Sequence, residues 1–363
     1  MKREYGIDLF KIVSTFMILM LHTLTQGGVI AGVTDLTVRS ELMWLINIVC
    51  FCGVNCFAII SGYLGLNAKH KYSSIIMLWL QVFFTGVAIN LINVVYSIYM
   101  GQSPNWVSLI KSFFPISSEQ SWYFSAYFCL FFFMPLLNKI INTLTKKEAG
   151  TIIIVSTVLF MFVETILHNS IFAINAGYTW IWLALLYFIG AYIKKYYDNK
   201  NTSIKINLIV FVACVVLTFI SRIGIALITQ KIFGNVTSAN KFIAYTSPLM
   251  VIMAVTLLNI FRRLNISQSK GKILSFISSL TFGVYIIHTN RVLFAGLAGK
   301  AAFVNNYNIL LSVIMLLAIV LALFIICAVF DYLRQLVFKL LRFKQFSEKL
   351  DLFITKIVNK INI

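Results

Sequence analysis

Long apolar stretches recur along the chain, separated by short polar or basic segments, and this pattern predicts a bundle of membrane-crossing helices. A bilayer core needs about 20 apolar residues per helical span. Ten stretches meet that length, centred near Ile18, Cys52, Gly86, Phe131, Leu159, Leu186, Val215, Met250, Phe282 and Leu321. The fold class expected is therefore all-α, a polytopic bundle of about ten transmembrane helices. After Phe338 the pattern changes. Apolar residues there recur at helical spacing with Lys339, Arg342, Lys344, Lys349, Lys356 and Lys360 between them, as in a helix lying in the membrane interface. Two regions follow: a transmembrane domain over 1–338 and a basic amphipathic tail helix over 339–363.

Composition agrees. Sixty per cent of the 363 residues are hydrophobic and 11% are charged, which excludes an ordinary soluble domain. The basic residues set an orientation, because loops rich in Lys and Arg stay on the cytoplasmic side. Of the 30, 22 fall in the amino terminus, the loops after even-numbered spans and the tail, with Lys69, Lys71, Lys139 and Lys194 among them. Only Arg39, Lys111, Lys231, Lys241, Arg291 and Lys300 fall in the alternate loops. Both termini are thus expected in the cytoplasm, and the first apolar stretch, which carries Lys11 and His22, reads as an uncleaved helix. The net charge of +19 then faces anionic lipid, so nucleic acid is not the expected partner. All six cysteines fall inside predicted spans without metal-ligand spacing, and no metal site is expected.

Polar groups inside spans are costly and mark candidate chemistry. Asp8, Lys11, Thr15, His22 and either Thr25 or Gln26 form a stripe on the first helix. The eleven steps from Lys11 to His22 come within about 20° of whole turns and rise about 16 Å, so both share a face. Lys11 sits near the inner boundary, where it can snorkel or pair with Asp8. His22 lies toward the outer half, where a neutral imidazole can accept a proton. Arg222 needs an intramembrane partner, and Glu164 is the first candidate. His168 and His70 read as solvent-facing, and Trp122 and Tyr123 as interface aromatics or a platform for a sugar ring.

The segments around these residues resemble the acyltransferase-3 family of membrane proteins, which O-acylate envelope glycans. The first helix of that family carries an Asp, then an Arg, ten residues and a His. Here Ile7-Asp8-Leu9-Phe10-Lys11 leads through ten residues to His22, with Lys11 in place of the Arg. Gly53 to Tyr63, ending Ser61-Gly62-Tyr63, is similar to the second-helix motif, with Asn55 where an acid is common. Ser121-Trp122-Tyr123 opening the fourth span, Pro135 to Asn138 closing it, and Thr281 to His288 in the ninth match in order.

The resemblance implies a bacterial plasma-membrane O-acyltransferase. It moves an acetyl or similar short acyl group from cytoplasmic acyl-CoA to an envelope glycan or lipid-linked sugar, with no permanently bound cofactor. A partner protein that receives the acyl group is an open alternative to direct transfer. His22 is then the expected general base, and Lys11 the cation on the donor side. Lys69 and Lys71 are donor-phosphate helpers or ordinary inside charges. His288, Trp122, Tyr123, Glu164, Arg222 and Ser61 are acceptor-side or supporting candidates. A carrier or exporter of a lipid-linked sugar is the competing class, but it predicts paired broken helices in two related halves, and no such repeat is visible. A glycan polymerase would carry a large outer loop with Arg clusters, whereas the longest outer loop here, 100–120, holds only Lys111 as a basic residue.

Overall fold

A computed structural model describes residues 3–30, 36–118, 121–167, 172–198, 203–236 and 238–360. The chain is a helical membrane bundle, 80% helical, with no strands among the described residues. Helix α1 (Tyr5–Leu24) is the most enclosed of the long apolar helices. The next span is broken at Cys52 into α2 (Val38–Phe51) and α3 (Gly53–Gly65). Helix α4 (Tyr72–Tyr99) leads through the short α5 (Trp106–Ser112) to α6 (Trp122–Thr143), which holds Pro135.

A capping box between Thr145 and Glu148 starts α7 (Lys146–Ser156), which satisfies two of the first-turn amides. This span widens into a π-helical turn, Thr157–Phe162, before α8 (Val163–Ile166). Helices α9 (Trp180–Tyr197), α10 (Ile204–Phe233) and α11 (Pro248–Phe261) follow. Next come α12 (Gln268–His288), α13 (Arg291–Leu297), α14 (Ile309–Leu340) and α15 (Phe343–Lys360).

Every expected span centre falls in this helical framework, and eight of the spans are long and apolar enough to cross a bilayer. The other two centres, Leu186 and Met250, belong to α9 and α11. Lys194 and Lys195 occupy the last turn of α9, and α11 has only 14 residues, with its N1/N2 proline at Pro248.

Small residues set the tightest crossing, since helices in lipid gain packing energy by close approach rather than by expelling water. A Cβ on Gly62 of α3 would overlap the Tyr187 carbonyl of α9, and one on Gly190 would overlap the Ile59 carbonyl. Glycine at both positions lets the two backbones touch. The interior carboxylate of Asp331 on α14 is fully buried but satisfied. Gln81 Nε2 donates to it at 3.0 Å, Arg334 Nε at 2.7 Å and Gln335 Nε2 at 3.0 Å.

The two ends of the bundle are tied by different chemistry. At one end Lys194 lies 3.0 Å from Glu4 and 2.8 Å from Asp198, while the Tyr63 hydroxyl donates to Asp198 at 2.5 Å. Arg262 Nη1 donates to the Tyr197 carbonyl at 2.9 Å. The start of α1 and the ends of α3, α9 and α11 therefore converge. At the opposite end, Gly299 N donates to the Gln26 carbonyl at 3.0 Å and Ala301 N to that of Gly27 at 2.9 Å. Arg39 Nη1 donates to Ser312 Oγ at 3.2 Å, joining α2 to the start of α14.

The tail helix α15 packs on α4. Asp351 caps that helix, accepting from Tyr72 N at 2.9 Å and from Ser73 Oγ at 3.3 Å. Phe346, Leu352 and Phe353 on α15 remain exposed.

Candidate active site

The last turns of α1 and α12 bring together two histidines separated by 266 positions. His22 Nδ1 lies 3.0 Å from His288 Nε2, with ring centroids 5.1 Å apart. His288 is buried, and its Nδ1 is 2.7 Å from the Val284 carbonyl of its own helix. A carbonyl only accepts, so in a neutral pair His288 Nδ1 carries the proton and its Nε2 presents a lone pair. His22 Nδ1 must then donate to that lone pair. The remaining His22 nitrogen, Nε2, is left with a lone pair and no proton. Phe294 packs edge-on against the His22 ring at 5.1 Å and fixes its plane. The result is an oriented base, in the arrangement where a second group sets the tautomer of the first.

Nearer the other end, α1, α3, α6 and α12 enclose a cavity of about 400 Å³. Lys69, His70 and Lys71 line it on the loop between α3 and α4, and Lys11, Ser61 and Tyr123 line it within the bundle. Ser61 Oγ donates to the Phe57 carbonyl at 2.9 Å. Asp8 is held by Arg3 at 2.7 Å and by Ser275 Oγ at 2.9 Å. Of the two roles expected of Lys11, pairing with Asp8 is not the one found: Arg3 takes that carboxylate, and the Lys11 ammonium forms no ion pair among the described residues.

His22 is not on the cavity lining. Between the cavity and the histidines stand Tyr123 and Tyr285, with ring centroids 5.8 Å apart, and the Tyr285 ring meets His288 edge-on at 5.8 Å. Thr281, Tyr285 and His288 lie at i, i+4 and i+7 on α12, so one helix face runs from cavity to histidine pair.

The structure thus groups Lys11, Ser61, Lys69, Lys71 and Tyr123 in one cavity and His22 with His288 beyond it. Trp122 is off the cavity lining, its ring centroid 4.6 Å from that of Tyr178, 5.6 Å from that of Tyr123 and 5.9 Å from that of Tyr245. Arg222 does not pair with Glu164. Its Nη1 bonds Glu41 of α2, and its guanidinium lies 4.5 Å over the Trp44 ring. Glu164 instead accepts from Ala176 N at 3.1 Å. The acid for Arg222 comes from the helix that α10 packs against, a tertiary choice that span positions do not reveal. A helical stripe of Glu41, Trp44 and Asn47 was the available signal.

His70 is half-buried rather than solvent-facing, its ring 4.2 Å from that of Phe131. Burial lowers its pKa below the ordinary value, opposed in part by the nearby Asp351. His168 lies outside the described residues. Sequence reasoning also missed Tyr127 and Asn138 on the cavity wall. Asn138 donates to the Gly65 carbonyl at 3.0 Å and accepts from the Tyr187 hydroxyl at 2.9 Å. The spacing 123, 127, 131, 134, 138 along α6 marks that wall.

No group of three or more His, Cys, Asp and Glu side chains that could hold a metal occurs among the described residues. A family model described as an acyltransferase domain matches residues 4–331, nearly the whole chain. No curated protein and no solved structure matches it.

Proposed function

The chain belongs to the acyltransferase-3 family and is a multi-pass membrane acyltransferase, and from that premise we propose that it moves a short acyl group from cytoplasmic acyl-CoA to a hydroxyl of an envelope glycan or lipid-linked sugar in the bacterial plasma membrane. The observation that carries this reading is the His22–His288 pair, which leaves His22 Nε2 as an oriented acceptor of a proton. The cavity end of the bundle, bearing Lys69 and Lys71, faces the cytoplasm in this reading, as the distribution of Lys and Arg favours. Both termini lie on that side, and the bundle crosses the membrane ten times, with α9 and α11 as the two shorter crossings.

The donor enters past Lys69 and Lys71, whose ammonium groups suit its phosphates, and Lys11 sits farther along the same cavity. The thioester is carried past the Tyr123 and Tyr285 rings toward His22. The acceptor approaches from the opposite end. His22 Nε2 removes the hydroxyl proton as that oxygen attacks the thioester carbonyl. The carbon–sulfur bond breaks, and the proton passes from His22 to the departing CoA sulfur, which regenerates the neutral base. General-base help of this kind is typically worth about 10² to 10⁴ in rate. His288 does not touch substrate; it positions His22 and accepts its Nδ1–H. Transfer through a partner protein that first receives the acyl group uses the same base and differs only in the acceptor.

The test is release of free CoA from acetyl-CoA by protein in lipid nanodiscs supplied with extracted envelope glycan. The reading expects His22→Ala to lower kcat by at least a hundredfold and Lys11→Ala to raise the KM for acetyl-CoA about tenfold. Wild-type CoA release that is indifferent to both changes contradicts it.

A further inference from the structure

A second cavity, of about 410 Å³, opens at the end of the bundle remote from Lys69 and Lys71. It is walled by the outer part of α4, by the α5 segment, and by the corner where α12 meets α13. Amides dominate its lining: Asn90, Asn93, Asn105 and Asn290. Two cations complete it, Lys111 and Arg291. The volume falls in the range of small-ligand sites, but the lining is far more polar than most.

Its polar groups are built in. Asn90 is 3% exposed; its Nδ2 donates to the Gly86 carbonyl at 2.9 Å, and its Oδ1 accepts from Ser108 Oγ at 2.6 Å. That bond fastens the α5 segment to α4. Asn105 Oδ1 accepts from Ser108 N at 2.9 Å, and Asn290 Oδ1 from Val292 N at 3.1 Å. Each of these last two amides is oriented through its oxygen and keeps its NH₂ without a protein partner among the described residues. Asn290 is 3% exposed, so its amide is held in place on the cavity wall. Fixed amide donors of this kind suit the hydroxyl oxygens of a sugar.

The two cations point to more than a neutral sugar. Basic residues are scarce in the segments assigned to this side, only six in number, yet two of them converge on one cavity. Asn290 and Arg291 lie two and three residues after His288, so the cavity adjoins the end of the bundle that carries the histidine pair.

We propose that this cavity is the acceptor subsite and that its ligand is a glycan bearing an acidic group, a carboxylate or a phosphate, held by Lys111 and Arg291 while the asparagines bind ring hydroxyls. This rests on the acyl-transfer reading for its role, but its binding is measurable alone. The probes are tetragalacturonate, a glycerol-phosphate tetramer and the neutral chitotetraose, equilibrated with the full chain in phosphatidylcholine nanodiscs without acetyl-CoA.

At least one acidic probe binds more tightly than the neutral one, and which it is identifies carboxylate or phosphate. Lys111→Gln with Arg291→Gln weakens that probe about tenfold, the scale of two exposed charge-assisted contacts. Lys111→Gln alone gives part of the loss and serves as the second variant. Equal binding of acidic and neutral probes, or acidic binding untouched by the substitutions, overturns the proposal. Displacement of the acidic probe by added phosphatidylglycerol also overturns it and assigns the cations to lipid. Acyl transfer measured on the same samples separates the two readings. Acidic binding without transfer sinks the enzyme reading and leaves the glycan site standing, whereas transfer without acidic preference sinks this proposal alone.

Discussion

Replacing His288 tests the histidine relay at its weakest joint. In His288→Ala the His22 Nδ1–H loses its acceptor at 3.0 Å, and the imidazole is no longer held with Nε2 free. A buried donor left unpaired costs about 1–3 kcal/mol, which at about 1.4 kcal/mol per tenfold corresponds to a loss of roughly 5- to 100-fold in kcat. His22→Ala removes the base itself, about 10² to 10⁴. Because His288 acts only through His22, the double variant should be no slower than His22→Ala alone, within about twofold. The coupling between the two sites then equals the whole effect of the His288 change. His288→Gln supplies a carbonyl oxygen to the same hydrogen and should recover much of the rate. The assay is steady-state CoA release, with the KM for acetyl-CoA followed beside kcat to separate positioning from damage to the donor cavity. Multiplicative losses in the double variant, or a Gln variant as slow as Ala, would refute the relay.

The remaining predictions concern the scaffold. Glu41→Gln leaves the Arg222 guanidinium buried without its counter-charge and should cost about 3–5 kcal/mol, whereas Glu41→Leu with Arg222→Met should recover most of that in thermal unfolding. If the single and double variants unfold alike, the pair is not the anchor described. Gly62→Val drives a side chain into the Tyr187 carbonyl and should cost about 1–3 kcal/mol or more, while Gly224→Ala, with open space around its Cβ, should be neutral or stabilising by about 0.5–1 kcal/mol. Burial holds the His70 pKa below its ordinary 6.5, so the neutral ring is favoured on folding. The contribution of His70 to stability is complete above about pH 6.5 and is lost as the pH falls through that value toward the lower folded one. Melting curves between about pH 7.5 and about pH 5.5 should therefore slope less in His70→Gln, and identical slopes would contradict the burial argument.

The membrane fold was legible because its signal is local. Twenty apolar residues announce a span whatever they pack against, and every span centre from Ile18 to Leu321 lies in the helical framework. The Lys11–His22 stripe was legible for the same reason, since helical periodicity is a property of one segment. What stayed hidden was tertiary. His288 is a supporting candidate on sequence grounds, but nothing in the residues near His22 announces their direct contact, nor that Arg3 rather than Lys11 takes Asp8. Arg222 needs an acid on sequence grounds, but only the packing of α10 on α2 selects Glu41 over Glu164. The break at Cys52 was invisible because the apolar pattern runs straight through it. Gly62 was noted as part of a motif, while its physical purpose, contact with the α9 backbone, required the crossing itself. His70 looked exposed in a basic loop because the ring that covers it, Phe131, arrives from another helix.

The central claim is that His22 Nε2 is the base for acyl transfer to an envelope hydroxyl. The most direct measurement is transfer of label from [¹⁴C]acetyl-CoA into envelope glycan, using membranes that hold equal amounts of wild-type protein, His22→Ala or His22→Gln. The account predicts labelling in the wild type and a loss of at least a hundredfold in both variants. Labelling that persists in either variant at near wild-type rate would contradict it.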